Sequence, residues 1–291
     1  MTDCLAGAAG AESCCVSLVV TGGTYFRSYQ TFADAAISLA YPASVSTFRL
    51  DKYEVTIGRF RKFIAAWEAG YMPQLGSGKH SHLNGGFGLK TAPGRYEVGW
   101  TSDDARNVAP TTANLACAPS YDSPWTSLPS AEESFPMACV NWWEAYAFCI
   151  WDGGFLPSEA EWEYAAAGGS AQREYPWGST PPGSASEYAV YDCYYPEAGG
   201  CRPARVGSSA LGAGLWGQVD LAGNVMEWTL DWYSGYTDPC DDCSDLSAAS
   251  GRSVRSGNFA TGDAQLRPAA RTDELPSGRS YTIGFRCARS P

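Results

Sequence analysis

The sequence predicts an α+β domain, with its helices in the first two thirds of the chain and strands and loops in the last. Two observations predict it. Three short apolar-periodic runs with clear start and stop residues all fall before position 170, and short strand-like runs separated by turns follow it. The composition agrees, because 32 Gly and 18 Pro imply many turns and long irregular segments.

The elements follow in order. Residues 1–20 are small and Cys-rich, and read as a segment stapled to the body rather than a packed helix. Residues 21–55 carry β-like runs such as Ser46 to Leu50. The first helix follows Thr56, a good N-cap, with Phe60, Phe63, Ile64 and Trp67 on one stripe and Gly70 as the stop. A Gly/Ser/Asn-rich region from about 71 to 135 shows no regular period. A second helix is expected from about Trp142 to Trp151, with Asn141 as N-cap and Gly153-Gly154 as the stop. The third has Ser158 as N-cap and Glu161 three residues on, a capping box, and ends at Gly168-Gly169. Beyond it, Arg252 to Arg255 and Tyr281 to Cys287 read as strands. No internal repeat or linker divides the chain, so the expected organisation is a Cys-rich segment over 1–20 and a single domain over 21–291.

The chain is 45% hydrophobic and 13% aromatic, enough for a core and too aromatic for a disordered chain. Its net charge of −11 repels phosphate backbones and anionic membranes, so no nucleic-acid partner is expected. No apolar stretch is long enough to span a membrane. Eleven cysteines fit an oxidising compartment. The start, Met1-Thr2-Asp3-Cys4, has neither a basic nor an apolar leader region, so the chain reads as the mature form of a secreted, periplasmic or cell-surface protein.

Four blocks carry more specific information. They are Phe48 to Thr56 (FRLDKYEVT); Val140 to Ala145 (VNWWEA) with Leu156 to Ala165 (LPSEAEWEYA); Asp220 to Trp228 (DLAGNVMEW); and Arg255 to Phe259 (RSGNF) closing on Gly284 to Cys287 (GFRC). In this order the blocks resemble the sulfatase-modifying, or formylglycine-generating, enzyme family over about residues 45–289. The resemblance implies a C-type-lectin-like α+β fold rich in irregular loops.

Asp220 and Glu227 flank a Gly-containing turn whose carbonyls at Gly223 and Val225 could point inward, and two carboxylates with backbone oxygens suit Ca²⁺. The resemblance implies that these four positions bind a structural calcium; the plain alternative is that Glu227 caps a turn or hydrogen-bonds a strand. The family also places two copper-binding cysteines just after the fourth block's turn. Here 258–267 reads NFATGDAQLR, with no cysteine, and Met226 stands where the enzymes usually carry Trp. Copper is therefore not expected, nor is formylglycine-generating activity. The resemblance implies a disulfide between Cys149 and Cys287, while Cys193 and Cys201 could close a short local loop. Cys240 and Cys243 form a C-x-x-C whose two intervening carboxylates oppose a reactive thiolate, leaving one disulfide or two separate pairings. His80 and His82, the only histidines, read as part of a solvated loop.

The functional expectation is a non-catalytic extracytoplasmic module that binds a peptide, glycan or small molecule. Its groove would be lined by Asn258, Thr261, Asp263, Arg267 and Arg271. The alternative is an enzyme with altered chemistry in that groove, with Asp263, Arg267 and Arg271 as its polar groups.

Overall fold

The three longest helices begin at the caps the sequence places. In the computed structural model, which describes residues 3–4, 12–27, 29, 39–117, 125–195 and 200–291, the first helix spans Ile57–Glu68. Thr56 Oγ1 accepts from the Arg59 N–H at 3.3 Å. The apolar stripe buries Phe60 and Phe63, which meet Phe148 of the second helix, Trp142–Trp151, at ring distances of 5.6 and 5.7 Å. Asn141 caps that helix, and Glu144 reaches back to the Asn141 N–H, completing a reciprocal box. The third helix, Glu159–Ala167, opens on the Ser158/Glu161 box and ends at Gly168, whose φ of 65° is left-handed.

The third helix differs from a surface helix, because every one of its residues is buried. Its carboxylates would be expensive in that setting without cations. Each finds one: Glu159 pairs with Arg271, Glu161 with His80 and Glu163 with Arg255.

Around the helices lie small sheets. A four-stranded sheet runs in the order Arg271–Glu274, Arg252–Arg255, Met226–Trp232, Ile283–Gly284, antiparallel except for the last pair. Phe48–Asp51 pairs on one side with Ser17–Val20 and on the other with Ala288–Arg289. That register builds residues 17–20 into the domain, with Phe48–Asp51 between them and residues 288–289. A third sheet joins Cys240–Asp241, Pro42–Val45 and Gly23–Phe26.

The main core is aromatic: Phe60, Phe63, Phe148, Trp228 and Phe285 are fully buried in one cluster. The Cys149–Cys287 disulfide, at 2.05 Å, lies in that cluster and ties the second helix to the last segment of the chain. Bonds also join Cys117 to Cys139, Cys193 to Cys201 and Cys240 to Cys243, and Cys14 is disulfide-bonded as well. The two open readings of the C-x-x-C thus resolve to one internal bond. Cys15 is free and exposed. Among the described residues no helix is long and apolar enough to cross a membrane.

Candidate functional site

The turn from Asp220 to Glu227 is built from residues that tolerate left-handed backbone. Asp220, Gly223 and Asn224 have φ of 57°, 83° and 58°. A Cβ at Gly223 would stand 2.4 Å from the Val190 carbonyl oxygen, so only glycine fits there. Asn224 locks the turn by donating to Glu54 Oε2 at 2.6 Å and accepting from the Ala204 N–H at 2.9 Å.

Three buried carboxylates, Glu54, Asp220 and Glu227, surround one buried guanidinium, Arg286. Arg286 makes a forked pair with Glu227, Nη2 to Oε1 at 2.7 Å and Nε to Oε2 at 2.8 Å. Trp162 Nε1 adds a bond to Glu227 Oε2 at 2.8 Å. Asp220 accepts from the Gly207 N–H at 2.6 Å. One cation against three anions leaves a surplus of negative charge. Burial, with Asp220 and Glu227 adding to it, pushes the Glu54 carboxyl well above its ordinary range. Burial also raises Asp220, to about 6.

The donor chemistry and the surplus charge fit a hard divalent cation. Among the described residues no three His, Cys, Asp or Glu side chains converge as a metal cluster. An ion here would therefore lean on the backbone oxygens of Gly223 and Val225 as much as on Asp220, and Glu227 would be shared between the ion and Arg286.

The five groove candidates do not all come together. Asn258 and Thr261 close their own turn: the Asn258 N–H donates to Thr261 Oγ1 at 2.8 Å, and Thr261 Oγ1 donates to the Asn258 carbonyl at 3.0 Å. Asp263 is exposed at the start of the 3₁₀ turn Asp263–Leu266. Arg267 pairs with Glu174 at 3.1 Å and covers the Tyr175 ring at 5.4 Å. Arg271 stands apart on the edge strand, bound to Glu159 at 2.8 Å between the Tyr233 and Tyr236 rings.

What the first four share is an aromatic neighbourhood. Leu266 anchors the 3₁₀ turn among Tyr175, Ala189 and Tyr191, with Trp177 packed against that group. Trp177 lies 5.0 Å from Tyr175 and 5.4 Å from Tyr188, and Tyr194, 41% exposed, sits 5.4 Å from Tyr191. A cavity of about 370 Å³ opens beside it, lined by Arg173, Glu174, Gly178 and Ser179 among others.

The solvated-loop reading of the histidines is corrected by the structure. His80 is fully buried, with Nδ1 3.0 Å from Glu97 and Nε2 2.9 Å from Glu161, and His82 is half-buried against Phe155. Burial alone would lower the His80 pKa, but Glu161 and Glu97 override it and hold the ring protonated, up to about 10. Their sequence separations of 17 and 81 residues give no local signal.

A family model for the sulfatase-modifying factor enzyme 1-like domain matches residues 5–291. The chain belongs to this family. A formylglycine-generating enzyme of Streptomyces coelicolor is 35% identical over 166 residues, which are 53% of this chain and 52% of that protein; the chain thus spans about half the length of that relative. One from Thermomonospora curvata is 28% identical over 278 residues, 85% of this chain and 83% of that one. An inactive Cα-formylglycine-generating enzyme 2 of Bos taurus is 32% identical over 158 residues, covering 53% and 50%. The structure of PvdO from Pseudomonas aeruginosa superposes with a TM-score of 0.61 at 22% identity over 94% of both chains, which shows a shared fold. The C-type-lectin-like architecture expected from the four blocks is the one observed.

Proposed function

We propose that this family member is a non-catalytic ligand-binding module that works outside the cytoplasm, without formylglycine-generating activity. The observation that carries the reading is the segment 258–267, which contains no cysteine where the family resemblance places a copper-binding pair. Without thiolates there is no soft donor set for Cu(I). The turn there is instead closed by Asn258 and Thr261 on each other. The disulfides, four of them joining described residues and one more holding Cys14, favour an oxidising compartment.

The aromatic face around Trp177, Tyr188 and Tyr194, with Asp263 and Arg267 at its edge, is the proposed binding surface. Aromatic faces beside carboxylates and guanidinium groups suit sugars or peptides. Calcium at the 220–227 turn belongs to the proposal as a structural ion behind this face. The test incubates the protein with copper and a sulfatase-type cysteine peptide: the peptide's mass stays unchanged, and aldehyde formation with loss of sulfur would overturn the reading. Glycan and peptide arrays then test the face. Signal that disappears with Trp177→Ala or Tyr194→Ala supports it, and signal indifferent to both places the ligand elsewhere.

A further inference from the structure

Arg252 stands at the start of the strand that leads into 258–267, and it is 8% exposed. Its guanidinium is sandwiched between two indoles, 3.6 Å from the Trp142 centroid and 4.0 Å from that of Trp232. Among the described residues its one hydrogen-bond acceptor is the Leu230 carbonyl, at 2.7 Å from Nη1, and Nε is buried without any. The other deeply buried arginines are better supplied: Arg59 holds Asp51, Arg255 holds Glu163 and Arg286 holds Glu227, while Arg27, also without an ion pair, spends its three nitrogens on the Tyr41 and Thr237 carbonyls and Cys243 Sγ. Arg252 forms no such ion pair. Burial pulls even this guanidinium down, to about 9, although the carboxylates of Asp231 and Asp104 oppose the fall without forming an ion pair with it.

The side chain lines a cavity of about 170 Å³ walled by Trp142, Tyr146, Leu230 and Trp232. Asp104 lines it too. Its Oδ2 accepts from the Thr101 N–H and hydroxyl at 2.7 Å, and its Oδ1 from Trp143 Nε1 at 3.1 Å. Those neutral donors fix the carboxylate, yet no cation pairs with it among the described residues. The cavity thus offers one cation and one anion that form no ion pair with each other, while Glu97, which also lines it, is already held by His80.

We infer that this cavity is a binding site for a small free α-amino acid, its carboxylate on Arg252 and its ammonium toward Asp104. A simple carboxylate would satisfy Arg252 but stand near the uncompensated charge of Asp104, and a simple amine would do the reverse. A zwitterion meets both. A planar guanidinium fixed between two rings is preorganised for a carboxylate, so little ordering opposes binding. The volume is that of a few water molecules, which limits the ligand to a small side chain. The inference does not depend on the aromatic face proposed above.

Calorimetry on the full chain tests it with glycine and alanine, their N-acetyl forms and their methyl esters. The free amino acids bind, and blocking either end weakens binding roughly 10- to 100-fold, the value of hydrogen bonds to charged groups. Arg252→Met loses binding by the same order while its melting temperature stays at or above that of the wild type, since a neutral side chain relieves the buried unpaired charge. Should that variant fail to fold, Arg252→Lys carries the test: weaker binding supports the site and equal binding overturns it. Asp104→Asn weakens binding of the free amino acids and strengthens that of the N-acetyl forms, whose lone carboxylate no longer faces a like charge; free amino acids bound as tightly as by the wild type would overturn the ammonium's place. Absence of heat with both free amino acids at about 10 mM, above the millimolar Kd of even a weak site, overturns the inference, as does undiminished binding to Arg252→Met.

Discussion

Arg286 and Arg252 are both buried against the four-stranded sheet, and the fold treats them in opposite ways. Arg286 spends all its nitrogens: on Glu227 through Nε and Nη2, on the carbonyls of Asp51 and Lys52 through Nη1, and on those of Val219 and Asp220 through Nη2. It thereby pins residues 51–52 and the turn from 219 to 227 to one point. Arg252 spends one nitrogen on one carbonyl. A buried charge surrounded by acceptors is framework, because removing it strands its partners. A buried charge without an anion costs stability unless something else completes it. The contrast separates structural from ligand-facing charge within one sheet.

The largest expected effect breaks the framework side of this comparison. Arg286→Met leaves Glu227 and several carbonyls buried without their donor, and should cost about 3–5 kcal/mol of unfolding free energy. Denaturant titration measures it. Adding Glu227→Gln to that variant should recover part of the loss, since the stranded charge is removed. An unchanged denaturation midpoint for Arg286→Met would show that the fork carries no stability.

His80 supplies the next effect. Its Glu97–His80–Glu161 bridge holds the segment before Trp100 to the third helix, and His80→Gln should cost about 3 kcal/mol near pH 6. The sign follows from two shifts. The folded pKa of His80 is raised to about 10 from an unfolded 6.5, so its contribution is complete below 6.5 and is lost as pH rises toward 10. The Glu97 pKa is lowered below 4.5, burial being outweighed by His80, so its contribution is present above 4.5 and is lost as the medium turns more acidic. The gap between wild type and variant should therefore be widest near pH 5–6 and close toward pH 10. A gap independent of pH would mean that the ring acts only by filling space.

What could be read from the sequence was whatever is encoded locally. Thr56, Asn141 and Ser158 were legible as caps because a cap and its helix lie within four residues. The reciprocal Glu144 was equally local and was not singled out. The turn at Gly223 was legible, and the Cys149–Cys287 bond as a match to a known pattern. His80 was not, because nothing near it marks Glu161 as its partner, 81 residues away. Nor was Arg252: the indoles of Trp142 and Trp232 meet it only after the second helix has packed on the sheet. Among the groove candidates, the sequence showed polar side chains on a turn but not that Asn258 and Thr261 would use them up closing it. Short-range chemistry was visible, and the pairing of distant charges was not.

The smallest predicted effect, and the one that sharpens the comparison, concerns calcium at the 220–227 turn. Arg286 supplies one positive charge to Glu54, Asp220 and Glu227, and burial raises the first two so that both hold protons more readily than free carboxyls. A divalent ion would replace those protons, so calcium uptake near pH 6 should release them, visible as a binding heat that varies with the buffer's ionisation enthalpy. Binding only to the folded state adds RT ln(1 + [L]/Kd), about 2.7 kcal/mol at a hundredfold excess over Kd. Chelation should lower the melting temperature accordingly, and Asp220→Ala should abolish the difference between chelated and calcium-loaded protein. If chelator leaves the melting curve in place and elemental analysis finds no calcium, then Arg286 alone holds this turn. The surplus charge would in that case be carried as bound protons on Glu54 and Asp220.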